Sequence, residues 1–223
     1  VLRDMRIRSI EAGTLRLMAE LAGKGGIKGN MTLGNLVLSS QGLGKHKVET
    51  GMIRTDFAIS DKSWAFTLHP VPFAYPQGMV GMNFGHDMDT GKTRIAFKGD
   101  KIQINQARQA SLALGSRSRL VRQLFEILRA GTTQEIRVVF EHKSLDDLFE
   151  ADDMVLRGSV KQGSVKIPKT PVIVSDIDGT AFIQKGVLQV NAKSGNLAGS
   201  RVSQGWLDLD LLNYEDSPFK GEF

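Results

Sequence analysis

Gly186-Val-Leu-Gln-Val-Asn-Ala-Lys193 and, shortly after it, Gly205-Trp-Leu-Asp-Leu-Asp-Leu211 are the runs whose reading decides the fold. Apolar and polar side chains alternate in both, so in an extended chain Leu188, Val190 and Ala192 share one face and Gln189, Asn191 and Lys193 the other. Leu207, Leu209 and Leu211 stand in the same way against Asp208 and Asp210.

Working outward, the same period of two recurs in eight or more segments. Ile136, Val138 and Phe140 form one set; Ile53, Thr55, Phe57 and Ile59 another; Trp64, Phe66 and Leu68 a third. Thr93, Ile95 and Phe97 lead through Lys98-Gly-Asp-Lys101 into Ile102 and Ile104, which predicts a hairpin. Turn signals separate the segments at Ala12-Gly13, Gly25-Gly26, Gly42, Gly51, Thr90-Gly91, Gly99-Asp100, Gln162-Gly163, Asp178-Gly179, Lys185-Gly186, Gly195-Asn196 and Gln204-Gly205, so most of the 24 glycines are read as turn residues. Strand after strand with tight reversals predicts a mainly β chain folded as an antiparallel meander rather than a βαβ unit. Pro70, Pro72 and Pro76 predict a stretch that interrupts the sheet.

One segment departs from this period. Between Ser116 and Arg129 the apolar residues Leu120, Val121, Leu124, Phe125 and Leu128 fall at helical spacing, with Arg117, Arg119, Arg122, Glu126 and Arg129 opposite. Ser116 is the expected N-cap and Gly131 the expected stop. Such a basic amphipathic helix either lies on an anionic membrane surface or covers one end of a sheet. A second short helix is expected from the cap-like Ser144-Leu-Asp-Asp147. The resulting division is a β-rich part over 1–110, the helix within 111–131, and a second β part over 132–223, as one continuous unit.

At 223 residues the chain is long enough for a sizeable core. Its 41% apolar and 24% charged content is that of a folded protein. Without cysteine it has no disulfide framework, no thiolate metal site and no Cys nucleophile. No run is apolar enough to span a membrane as a helix, and Val1-Leu-Arg-Asp4 carries no signal-peptide pattern, so the chain reads as a piece of a longer protein. The net charge of +5 allows attraction to anionic partners such as phospholipid headgroups or nucleic acid, and equally reads as a mildly basic surface. Aromatics are few and do not cluster beside basic strand residues, so no nucleic-acid partner is expected.

Two short motifs carry possible chemistry. Val172-Ile-Val-Ser-Asp176-Ile-Asp178-Gly-Thr180 matches the Asp-x-Asp-Gly-Thr signature of haloacid-dehalogenase-like phosphatases, in which the first Asp is the nucleophile, the second the acid/base, and magnesium binds nearby. That chemistry needs a parallel strand in a doubly wound fold, whereas here only 43 residues follow Thr180 and they alternate like strands. A hairpin turn at Asp178-Gly179 is the expected reading. His86-Asp87-Met-Asp89-Thr-Gly91 offers too few ligands for a divalent cation and reads as a polar turn. His46, His69, His86 and His142 lack metal-type spacing, and no cofactor is expected.

Val155-Leu-Arg-Gly-Ser-Val-Lys-Gln-Gly-Ser-Val-Lys-Ile-Pro168, Ile177-Asp-Gly-Thr180, Gly186-Val-Leu188, Ser194-Gly-Asn-Leu-Ala-Gly199 and Gly205-Trp-Leu-Asp-Leu-Asp-Leu211 together resemble the AsmA-like superfamily of envelope bridge proteins, which includes TamB and the YhdP-like family. The resemblance covers about a quarter of the chain. It implies a strongly curved sheet forming an open groove, through which acyl chains of phospholipid or another amphiphile pass between the inner and outer membranes of a Gram-negative cell. It further implies a periplasmic location, a parent anchored in the inner membrane, and neighbouring segments of that parent as partners. The groove lining it suggests is Ile102, Ile104, Ile136, Val138, Phe140, Val165, Ile167, Leu188, Val190, Leu207 and Leu209. The same residues would equally fill an ordinary barrel or sandwich core. The expected rivals are a structural module for outer-membrane biogenesis and a phosphatase built on Asp176 and Asp178.

Overall fold

Alternation does produce strands. In a computed structural model of the chain, which describes residues 9–22, 25–114, 119–143, 152–213 and 220–222, all sixteen described strands join one antiparallel sheet. They are β1 (Ser9–Ala12), β2 (Leu15–Ala22), β3 (Gly26–Leu33), β4 (Leu36–Ser39), β5 (Val48–Thr50), β6 (Ile53–Ile59), β7 (Ser63–Tyr75), β8 (Gly78–Asp87), β9 (Thr93–Asp100), β10 (Leu128–His142), β11 (Met154–Lys166), β12 (Ile173–Gln184), β13 (Val187–Leu197), β14 (Ser200–Val202), β15 (Gly205–Asp210) and β16 (Lys220–Glu222). Helices α1 (Ile104–Leu114) and α2 (Arg119–Ile127) lie between β9 and β10.

The register shows that several short strands are halves of longer ones. The pairing of Ala22 with Gly26 and Leu15 with Leu33 continues unshifted into Ala12 with Leu36 and Ser9 with Ser39. β1–β2 and β3–β4 are therefore one hairpin bent at Gly13 and Gly34. A Cβ at either glycine would come within 3.0–3.2 Å of the other's Cα, so a side chain at either would have to push the two backbones slightly apart. β5–β6 continues the bend through Gly51, whose N–H donates to the Pro72 carbonyl at 2.7 Å. The sheet is thus a plain meander that does not close on itself.

A second bend crosses β10, β11 and β12. Register shifts occur beside Gly131 (φ 120°), Gln162 (φ 51°) and Asp176 (φ 52°), and a Cβ on Gly131 would lie 2.8 Å from the Gly163 Cα. Bulges bend strands and increase their twist. These are the devices that curve the sheet.

Several expectations are corrected by these strands. Gln162-Gly163, Asp178-Gly179 and Gly195-Asn196 lie inside β11, β12 and β13 instead of in turns, because these strands of 11 to 13 residues bend through bulges rather than reversing. The reversal after β12 falls at Lys185-Gly186. No hairpin follows β9: Lys101 turns left-handed (φ 52°) and Ile104 opens α1, whose Gln, Ala, Arg and Leu residues favour a helix. Leu128 and Arg129 begin β10, and Gly131 is a bend within it, not a helix stop. β7 runs through Pro70 and Pro72, with a register shift between Leu68 and Val71 taking Pro70 out of the ladder. Ser116 and the segment beginning at Ser144 lie outside the described residues.

The main core lies toward the C-terminal strands and gathers Met154, Val174, Ile177, Ile183, Leu188, Leu207, Leu209 and Leu211, each at most 6% exposed. α2 adds Ile127, with Leu120 and Leu124 packed alongside, while Arg119, Arg122 and Glu126 face out. Arg108 of α1 donates from Nε to the Phe125 carbonyl at 2.8 Å, satisfying an acceptor in the last turn of α2. A smaller core joins Ala110, Ala113 and Leu114 of α1 to Leu38, Leu43, Val48, Phe73 and Tyr75.

Candidate binding face

Paired residues in neighbouring strands point to the same side of a sheet. Followed from strand to strand, Leu17, Met31, Thr55, Leu68, Met82, Phe97, Val138, Leu156, Ile183, Leu188 and Leu209 therefore form one transverse row across eleven strands. The adjacent row on the same side runs Ala19, Gly29, Phe57, Phe66, Phe84, Ile95, Phe140 and Met154. Every residue of both rows except Thr55 is apolar or glycine. The opposite side is polar: Lys98, Arg137, Arg157, Phe182, Gln189, Asp208 and Lys220 make up one of its rows. Salt bridges of 2.7–3.4 Å (Lys92 with Glu141, Lys28 with Glu20, Lys98 with Glu135) and the Arg157 guanidinium 5.1 Å above the Phe182 ring also belong to that side.

Burial along the apolar face is graded. At its N-terminal end Leu15, Leu17 and Leu21 are 59, 61 and 87% exposed, and Ile27, Ile59 and Trp64 are exposed as well. Phe57, Phe66, Leu68, Met82, Phe84 and Phe97 are half-buried in the middle, with the Phe66 and Phe84 rings 5.8 Å apart. From Phe140 and Met154 onward the face is mostly covered by the chain's own side chains and α2. A void of about 10 Å3 between Val165, Val174, Ile177, Val190, Ala192 and Leu207 has room for about one water and no larger guest.

The residues proposed from sequence divide along this gradient. Phe140, Val165, Ile167, Leu188, Leu207 and Leu209 are 1–7% exposed and belong to the main core. Ile104 is buried in the first turn of α1. Ile136, Val138 and Val190 are half-buried members of the apolar face. Ile102 is half-buried too and leans onto that face: a Cβ at Gly78 or Gly99 would collide with it at 2.9 and 2.5 Å. The open stretch, centred on Phe66, Met82 and Phe84, was not among the proposed lining, although Ile53–Ile59 and Trp64–Leu68 carried its signal in their alternation.

Asp176 and Asp178 sit in mid-strand, antiparallel to both neighbours, and both are exposed. Asp178 accepts the Gln162 N–H at 3.0 Å across the bulge, a structural use of the carboxylate. In the His86–Gly91 turn His86 bonds Thr93 Oγ1 at 2.7 Å, while Asp87 accepts the Thr90 N–H and hydroxyl at 2.8 and 2.9 Å. Those two hydrogen bonds hold the Asp87 carboxyl below its ordinary value. Among the described residues no three His, Asp or Glu side chains converge as a metal site, and no helix is long and apolar enough to cross a membrane. A separate concavity of about 450 Å3 is bordered by Asn30, Thr32, Arg54, Asp56 and His69, with His69 Nε2 and Asp56 Oδ2 2.7 Å apart.

Compared with protein-family models, curated proteins and solved structures, the chain matches none.

Proposed function

We propose that this chain is a non-catalytic module that holds the acyl chains of phospholipid or a similar amphiphile on the half-buried middle of its apolar face. What carries the reading is the apolar register from β2 to β11, interrupted in its two rows only at Thr55. The side chains of these rows on β2, β3, β6, β7 and β8 stay exposed or half-buried among the described residues, while α1 packs over β4, β5 and the far end of β7. Neighbouring strands lie about 4.8 Å apart, so an acyl chain of ~20 Å laid along a row covers about four strands. Each methylene removed from water contributes about 0.8 kcal/mol without directional bonds, which lets a guest bind and still slide. The guest would lie over Phe57, Phe66, Met82, Phe84 and Phe97 and stop where Ile183, Leu188 and Leu209 fill the face.

The resemblance to AsmA-like envelope proteins adds the finer proposal, conduction between inner and outer membranes by a periplasmic segment whose parent is anchored in the inner membrane. The filled C-terminal end favours one rival in part: β12–β15 is built as a packed structural unit, as an assembly module would be. The phosphatase reading draws little support from two exposed carboxylates on an antiparallel strand.

Substitution by face tests the proposal. Phe84→Asp puts a charge on the apolar side, and Asn83→Asp puts one on the polar side of the same strand. Titrated with a fluorescent fatty acid, Phe84→Asp is expected to weaken binding at least about tenfold, equivalent to about 1.4 kcal/mol, and Asn83→Asp to leave it unchanged. Equal binding by both folded variants contradicts the proposal.

A further inference from the structure

The outer strand of the sheet, β2, is paired with β3 at eight positions on one side, and among the described residues nothing pairs with its other side. Soluble proteins blunt such edges with prolines, bulges or several charges, because an unpaired row of N–H and C=O groups templates another strand. β2 (Leu-Arg-Leu-Met-Ala-Glu-Leu-Ala) has no proline, no register shift and just two charged residues, Arg16 and Glu20. All its residues but Ala22 are exposed, including Met18, a large apolar side chain 56% exposed on the polar face.

Those two charges select a partner. When β2 meets a second β2 antiparallel, residues that face each other must lie on the same side of the joined sheet, which allows only registers centred on a residue. Of these, the register centred on Met18 is the one that sets Arg16 opposite Glu20. By symmetry it does so twice, since the partner copy's Arg16 then faces Glu20 of the first. The same register sets Leu15 opposite Leu21 and Leu17 opposite Ala19 on the apolar face, and brings the two Met18 side chains together at the two-fold axis. Registers centred on Arg16 or on Glu20 set like charges opposite each other, and the rest leave both charges facing apolar residues or no residue of β2. Isologous pairing of this kind closes at two copies.

We infer that β2 is a homodimerisation edge, pairing antiparallel with β2 of a second copy about Met18. Both apolar faces then lie on one side, and the open ends of the two graded faces meet across the join. Glu20 keeps Lys28 of its own sheet at 3.0 Å as it gains the partner copy's Arg16. The inference stands independently of what, if anything, the apolar face binds.

The chain contains no cysteine, which makes the test specific. In the proposed register a Met18→Cys variant places its single thiol opposite its own copy, with Cα atoms about 4.5–5.5 Å apart, inside the range a disulfide bridges. Oxidised Met18→Cys is expected to run as a covalent dimer, and Asn191→Cys, on an inner strand, as a monomer. Sedimentation of the wild type in the absence of lipid should approach twice the 24.4 kDa chain mass as concentration rises. Arg16→Glu should weaken the dimer about tenfold, and Arg16→Glu with Glu20→Arg should restore it, since the swapped pair again faces its complement. The added repulsion between position 20 and Lys28 is present in monomer and dimer alike. A wild type that stays monomeric, assembly that grows past two copies, equal cross-linking of the Met18→Cys and Asn191→Cys variants, or a charge swap that fails to restore what Arg16→Glu removes, each overturns the inference.

Discussion

Gly179 lies on the apolar side of β12, where a Cβ would stand 2.3 Å from the Asn191 carbonyl oxygen and 3.1 Å from the Ala192 Cα. Backbone cannot yield as a flexible side chain can, so Gly179→Ala must part β12 from β13. We expect a loss on the order of 1–3 kcal/mol in urea denaturation. Gly85→Ala, on β8 with nothing within 4 Å of its Cβ, is the matched control and should be neutral or slightly stabilising. Asp210 makes a second prediction at this scale. Its carboxylate accepts from the Asn213 side-chain amide at 2.8 Å and from the Asn213 and Leu212 N–H groups, which hold its pKa below the ordinary 3.8. A carboxyl depressed in the folded state adds stability that is fully present above pH 3.8 and is lost as pH falls through its lower folded value. Asp210→Asn should therefore lower stability modestly at neutral pH and flatten the wild-type decline below about pH 4.

At the scale of elements, α2 turns Leu120, Leu124 and Ile127 onto the main core and leaves Arg119, Arg122 and Glu126 outside. Its apolar stripe is thus engaged by the sheet in this structure. Leu124→Ala is expected to cost on the order of 2 kcal/mol, and Arg122→Ala to stay within about 0.5 kcal/mol; thermal denaturation of the two variants compares them. The helical spacing of Leu120, Leu124 and their neighbours made α2 legible in the sequence. α1 was not, because Ile102 and Ile104 continue the alternation of β9 and mask the good helix formers that follow. The bends were misread for a related reason: Gln162-Gly163 and Asp178-Gly179 carry the composition of turns, and a bulge uses the same left-handed or side-chain-free backbone without reversing the chain.

For the whole molecule, alternation alone was enough to give a mainly β antiparallel meander, since a period of two is set by strand geometry. Which part of the apolar face is covered was not legible. Leu188 and Leu17 occupy equivalent alternating positions in sequence, yet they are 6% and 61% exposed because only Leu188 belongs to the packed main core. Burial of that kind follows from long-range placement, which local pattern does not encode. The candidate lining was consequently weighted toward the C-terminal strands, where the resemblance to envelope proteins lay, and away from Phe66, Met82 and Phe84, where the face is open.

The chain's two tryptophans fall on opposite sides of the sheet at nearly equal exposure, Trp64 at 39% on the apolar side and Trp206 at 38% on the polar side. Fluorescence quenching by a phospholipid brominated along its acyl chain reads the two separately in Trp206→Phe and Trp64→Phe variants. If hydrocarbon occupies the apolar face, the bromolipid quenches Trp64 and spares Trp206. Equal quenching of both, or of neither at lipid concentrations that saturate binding, would contradict the account.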